Sequence, residues 1–236
     1  MKKHQAQDQF IKGTYGNGGD GLPEFKGCAV GCTIDSVNVI LGKSYDTSSH
    51  DVLEEAIGIP EWLSILQDSF FENLPVGENS QFAVDFLDAI PVGVNLEPVK
   101  WKFCAFLMRE GIERVLGLKD ISEELREQVL SAMRGVLALN ESAITTGEWD
   151  LKAAKEARSA AWAAGDAAGD AAWAAARAAG DAAGAAARAA GDAAGAAAWA
   201  AAWAAAAEAT AEATAVAAAA YKRYAAELIS LLKADL

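Results

Sequence analysis

The chain has 236 residues, enough for one large or two small domains, and a net charge of −13. The acidity belongs to residues 1–150, where 12 Lys and Arg face 24 Asp and Glu (net −12); residues 151–236 are close to neutral, with 8 against 9 (net −1). That balance excludes general nucleic-acid binding, which relies on cations displacing counterions along a phosphate backbone, but it leaves room for a small anionic ligand held by a few local cations.

The opening M-K-K-H-Q-A-Q-D has no apolar run behind its basic residues, so it does not read as a signal peptide. Residues 149–236 are rich in Ala but interrupted by Gly, Asp and Arg, which makes them a poor membrane span; a cytoplasmic protein is expected. Cys28, Cys32 and Cys104 are too few, and odd in number, for a disulfide framework, so reduced thiols are expected. Only His4 and His50 could join them at a metal, from distant segments, and neither a metal nor a cofactor is expected.

Residues 4–12 are short and helix-compatible, and the five glycines between Gly13 and Gly21 dictate a loop. Residues 25–35, F-K-G-C-A-V-G-C-T-I-D, read as a helix that sets Gly27 and Gly31 on one side beside Cys28 and Cys32, a side that another backbone or a ligand can approach closely. Helices follow at 51–57 and from Pro60, where Trp62, Ile65, Leu66, Phe70 and Leu74 form a stripe. Residues 80–90 and 97–116 repeat the amphipathic pattern, and Asp120 with Glu123 makes a capping box before a helix at 125–139. No period-2 alternation flanked by hairpin turns occurs, so residues 1–148 are expected to form an all-α globular domain.

From residue 149 an Ala-rich helical repeat region begins. Arg158, Trp162, Asp166, Asp170, Trp173, Arg177, Asp181, Arg188, Asp192, Trp199 and Trp203 follow steps of four, four and three, an 11-residue repeat, once Gly184 and Gly195 fill the remaining slots. Eleven residues over three turns place them on one almost straight stripe of an alanine helix. An unbroken helix over residues 151–236 would reach roughly 130 Å, so a hairpin reversal or pairing between subunits is expected, and with it a homo-oligomer.

No H-E-x-x-H, P-loop or G-x-S-x-G pattern is present. Cys28 or Cys32 with His4 and Asp8 could form a nucleophilic set, yet small residues in G-C-A-V-G-C also serve tight packing. The pairs Glu54/Glu55, Asp85/Asp88 and Glu123/Glu124 read as solvated helix faces. On the stripe, Trp offers a stacking face, Arg a planar fork for phosphate and Asp an acceptor for hydroxyls, which suits a nucleotide-like ligand as well as helix packing. Trp173, Arg177, Arg188 and Trp199 are the candidates there.

The pieces H-Q-A-Q-D-Q-F-I-K-G-T-Y (4–15), K-G-C-A-V-G-C-T (26–33), L-E-E-A-I-G-I-P-E-W-L (53–63), F-F-E-N-L-P (70–75) and F-L-D-A-I-P-V-G-V-N-L (86–96), followed by an Ala-rich repeat and Y-K-R-Y-A-A-E-L-I, resemble a family of small proteins encoded by phages and bacteria. The resemblance implies a bacterial host cell and an action on host defence. It also marks His4, Gln7, Asp8, Tyr15, Lys26, Cys28 and Cys32 as ligand-binding candidates. The chain departs from the family in its glycine-rich insert at 16–21 and its Gly-Asp-rich tail. The expectation is a non-enzymatic protein that sequesters a small anionic or nucleotide-like signalling molecule. A protein-binding inhibitor or immunity module and a cysteine-dependent enzyme are the alternatives.

Overall fold

The computed structural model describes residues 1–7, 9–16, 25–119, 122–156 and 211–234. They are all-α: α1 (Lys2–Ala6), α2 (Ala29–Leu41), α3 (Val52–Ile57), α4 (Glu61–Asn73), α5 (Glu78–Ala89), α6 (Glu97–Leu116), α7 (Glu123–Thr146) and α8 (Ala211–Ala234), with a further helical stretch at 151–156. No helix among the described residues is long and apolar enough to cross a membrane. The 11-residue repeat lies outside the described residues, apart from its flanks.

Two compact units divide the chain at Leu96/Glu97 and again at Ala220/Tyr221, whereas the change in composition falls at 148/149. The first unit comprises residues 1–96 and 221–236. Its core gathers Phe25, Val30, Ile34, Leu53, Leu63, Leu66, Phe70, Phe71 and Phe86. The Ala-rich tail contributes to that core at its far end. Tyr221, Tyr224, Leu228 and Leu232 recur at three- and four-residue steps and are buried, so they form one apolar stripe of α8. Tyr221 meets Phe70 edge-on at 6.0 Å, and Lys222 pairs with Glu78 at 2.6 Å.

The second unit is built on an α6–α7 hairpin, closed by Met108, Val115, Val129, Leu130, Met133 and Val136. Trp101 and Trp149 stack face to face, with centroids 4.6 Å apart and planes 4° from parallel. Arg126, in the first turn of α7, donates to the carbonyls of Val115 and Leu116 (3.2 and 3.0 Å) and so caps the end of α6. The span of α6 is the one its periodicity predicts, and α7 runs beyond the expected 125–139.

Two expectations near the N-terminus need correction. The helix expected at 4–12 ends at Ala6, and the one expected at 25–35 begins only at Ala29. The intervening backbone pairs with itself across the chain instead. Gly27 N–H donates to Gln9 O (3.0 Å), Ile11 N–H to Gly27 O (2.9 Å) and Cys28 N–H to Thr14 O (2.7 Å), forming a short parallel bridge between Phe10 and Gly27. Those donors and acceptors satisfy one another and so are withdrawn from any helix.

Candidate functional site

Cys28 is the N-cap of α2: its backbone is extended (φ −67°, ψ 179°), and its Sγ accepts the Gly31 N–H at 3.4 Å. The loop of residues 12–16 crosses directly over this helix start. A Cβ on Gly31 would fall 1.7 Å from Tyr15 O, and one on Gly27 2.8 Å from the same atom. The close approach expected at these glycines is therefore made by the Tyr15 backbone. It places the Tyr15 side chain beside α4 and His50, where its hydroxyl donates to Asp68 Oδ2 at 3.1 Å and its ring meets His50 edge-on at 5.4 Å.

The far wall is α4, whose Ser64, Asp68 and Glu72 are spaced four apart and so form one stripe. Cys28 Sγ, an oxygen of Asp68 and an oxygen of Glu72 all lie within 4.8 Å of one another. His50 Nε2 stands 3.7 Å from Asp68 Oδ2, longer than a hydrogen bond and close enough for electrostatic coupling. Both oxygens of Glu72 accept the Gly13 N–H (3.0 and 3.1 Å), and Lys12 Nζ donates to Glu72 O at 2.8 Å, at the end of α4.

The cluster is acidic, and its groups perturb one another accordingly. Burial pushes the Cys28 thiol well above its ordinary range and the Asp68 charge pushes it further, against a smaller pull from the Gly31 and Val30 amides. Burial and Asp68 together raise Tyr15 to about 12. Glu72 is raised by burial and by Asp68, with the Gly13 N–H and Lys12 opposing. Asp68 is disfavoured by burial, but His50, the Cys28 thiol and the Tyr15 hydroxyl outweigh that and hold it below the usual carboxylate range.

Several buried polar atoms around this wall have no hydrogen-bond partner among the described residues. They are Ser64 Oγ, both amide atoms of Gln67, Asp68 Oδ1 and His50 Nε2; Ser64 and Gln67 are completely inaccessible to solvent. Unpaired buried groups cost free energy, and in native proteins they mark places where a water, ion or ligand supplies the missing partner.

The other sequence candidates divide clearly. His4 is buried away from solvent, with Nε2 2.9 Å from Ser36 Oγ and 3.5 Å from Asp35 Oδ2, and it packs between Phe10 and Phe25. Cys32 is buried against the carbonyls of Gly27 and Gln9, and burial raises its thiol to about 12. Gln7 is exposed after α1, and Lys26 is half-buried in the bridge. Asp8, Trp173, Arg177, Arg188 and Trp199 lie outside the described residues. Thus Cys28 and Tyr15 come together, while His4 sits with Asp35 and Ser36. Several of the paired carboxylates serve structure: Glu54 accepts the Glu61 N–H, Glu55 the Tyr45 hydroxyl, and Asp88 pairs with Lys2.

Asp68 and Glu72 are the residues that sequence reasoning missed, and His50 entered it only as a metal ligand from a distant segment. The available signal was the polar stripe Ser64-Asp68-Glu72 on a helix read only for its apolar stripe. No protein-family model matches the chain, and no curated protein or solved structure is significantly similar to it.

Proposed function

We propose that the protein is a non-catalytic binding protein whose ligand occupies the pocket between the start of α2 and α4, and that the ligand presents positive charge to it. The observation that carries the reading is the convergence of three acidic groups, Cys28, Asp68 and Glu72, within 4.8 Å. The charges of Asp68 and Glu72 repel each other there, and a cation between them relieves both. The same charge disfavours an anionic ligand here. Sequestration of a nucleotide-like molecule in a host-defence setting would therefore draw on the tail residues Trp173, Arg177, Arg188 and Trp199.

The order of groups supports a reading without turnover. In a cysteine nucleophile the imidazole takes the thiol proton and the carboxylate orients the imidazole. Here burial first, and the Asp68 carboxylate beside the thiol second, push the Cys28 thiol toward its protonated form. A cysteine-dependent enzyme is the second reading, favoured by the Gly31 N–H directed at Sγ from the start of a 13-residue helix. Iodoacetamide labelling separates the two, since the binding reading requires Cys28 to react more slowly than an unfolded control across neutral pH.

The direct test is Glu72→Gln. The amide oxygen still accepts the Gly13 N–H, and the charge is gone. The expected result is a higher melting temperature for the free protein, with loss of the thermal shift that zinc, calcium or spermidine produces in the unaltered chain. A lower melting temperature would make the cluster a structural feature and remove the reading.

A further inference from the structure

We infer that the ligand of this pocket is a thiophilic divalent metal ion of the zinc class, bound by Cys28 Sγ, Asp68 and Glu72; this rests on the reading of the pocket as a cation site. Three observations beyond the charge support it. The donor set is mixed, one sulfur with two carboxylates, and a sulfur ligand selects zinc-like ions over magnesium or calcium, which take oxygen alone. The spacing fits: in a tetrahedral site with metal–sulfur near 2.3 Å and metal–oxygen near 2.1 Å, neighbouring donors stand about 3.6 Å apart. Small rotations of Asp68 and Glu72 bring donors now within 4.8 Å to that distance.

The third observation is an imidazole beside the acids. His50 Nε2 is buried, has no hydrogen-bond partner among the described residues, and lies 3.7 Å from Asp68 Oδ2, the separation expected of two donors on one ion. His50 stands beside the three-donor cluster, where it can hold Asp68 in place as a ligand. On the same helix as Asp68, Ser64 and Gln67 are fully buried with unpaired polar atoms, near Asp68 in the chain. The Tyr15 hydroxyl already donates to Asp68 Oδ2.

Binding is a proton exchange. The Cys28 S–H bond breaks, its proton leaves to solvent, and a sulfur–metal bond forms, with no change of oxidation state. The ion supplies the positive charge that Asp68 and Glu72 otherwise lack.

Cobalt(II) titration of the full chain, with its thiols kept reduced, tests the inference. A 1:1 complex with a near-ultraviolet thiolate-to-cobalt charge-transfer band and the intense visible bands of a four-coordinate ion is expected, and zinc should displace it. Cys28→Ser keeps an N-cap oxygen for α2 and should abolish the charge-transfer band, while His50→Gln and Glu72→Gln should each weaken binding by tenfold or more. Absence of the band in the unaltered protein, or its persistence in Cys28→Ser, overturns the metal assignment. If that happens while Glu72→Gln still raises the melting temperature and spermidine still protects the unaltered chain, the cation pocket stands and only the identity of its ligand has failed.

Discussion

Gly31→Ala puts the architecture of the site to a quantitative test. Gly31 lies in the first turn of α2 with ordinary helical backbone, so alanine there costs nothing in φ and ψ and, by propensity alone, should stabilise the helix by up to ~1 kcal/mol. The environment opposes this. The new methyl would sit 1.7 Å from Tyr15 O and 2.6 Å from Tyr15 C, both backbone atoms, where an ordinary contact is about 3.5–4.0 Å. The Tyr15 segment must therefore retreat by roughly 2 Å. Overpacking of this kind costs about 1–3 kcal/mol, and the retreat also endangers the 2.7 Å hydrogen bond from Cys28 N–H to Thr14 O, worth about 1 kcal/mol net. A net loss of about 1–3 kcal/mol follows once the propensity gain is offset. Gly135→Ala is the matched control, because Gly135 lies in α7 with nothing near its Cβ position, and alanine there should stabilise by about 0.5–1 kcal/mol. Urea denaturation followed by far-ultraviolet circular dichroism measures both. Equal effects of the two substitutions would refute the claim that the Tyr15 backbone is clamped on the helix start.

Two other expectations concern the first unit. Burial lowers the His4 pKa, with a weaker opposing pull from Asp35, so the folded protein binds the His4 proton less readily than the unfolded chain does. The stability that neutral His4 contributes is complete above the ordinary imidazole pKa of about 6.5 and is lost as pH falls toward the lowered folded value. Melting temperatures taken at about pH 7.5 and pH 5.5 should show a larger acid-side drop for the unaltered chain than for His4→Gln. Leu228→Ala, which empties a fully buried position on α8, should cost about 2–5 kcal/mol in urea denaturation. A surface-like cost below about 0.5 kcal/mol would show that the end of the tail does not belong to the core.

Much of the helical content was legible in the sequence, since an amphipathic period is a local property. Residues 97–116 announce α6 through Trp101, Phe103, Leu107 and Ile112, and Pro60 marks the start of α4. The extended residues before α2 were not legible. Gly27 and Cys28 give up helical geometry because their backbone groups find partners at Gln9, Ile11 and Thr14, and no local pattern records such a pairing.

The same division holds at the site. Spacing singled out Cys28 and the glycine face beside it, and the family resemblance singled out Tyr15. The tertiary structure alone decided what they face. His50 comes from a polar loop and Asp68 and Glu72 from α4, 40 and more residues beyond Cys28 in the case of the two acids, and as isolated letters they are indistinguishable from solvated charges. Only when α4 packs beside α2 does its Ser64-Asp68-Glu72 stripe turn toward the thiol, and packing of apolar faces sets that angle. The sequence determined that helices form and which residues can carry chemistry; the fold determined that an acidic cluster gathers at Cys28, because electrostatic coupling depends on distance in space, which separation along the chain does not fix.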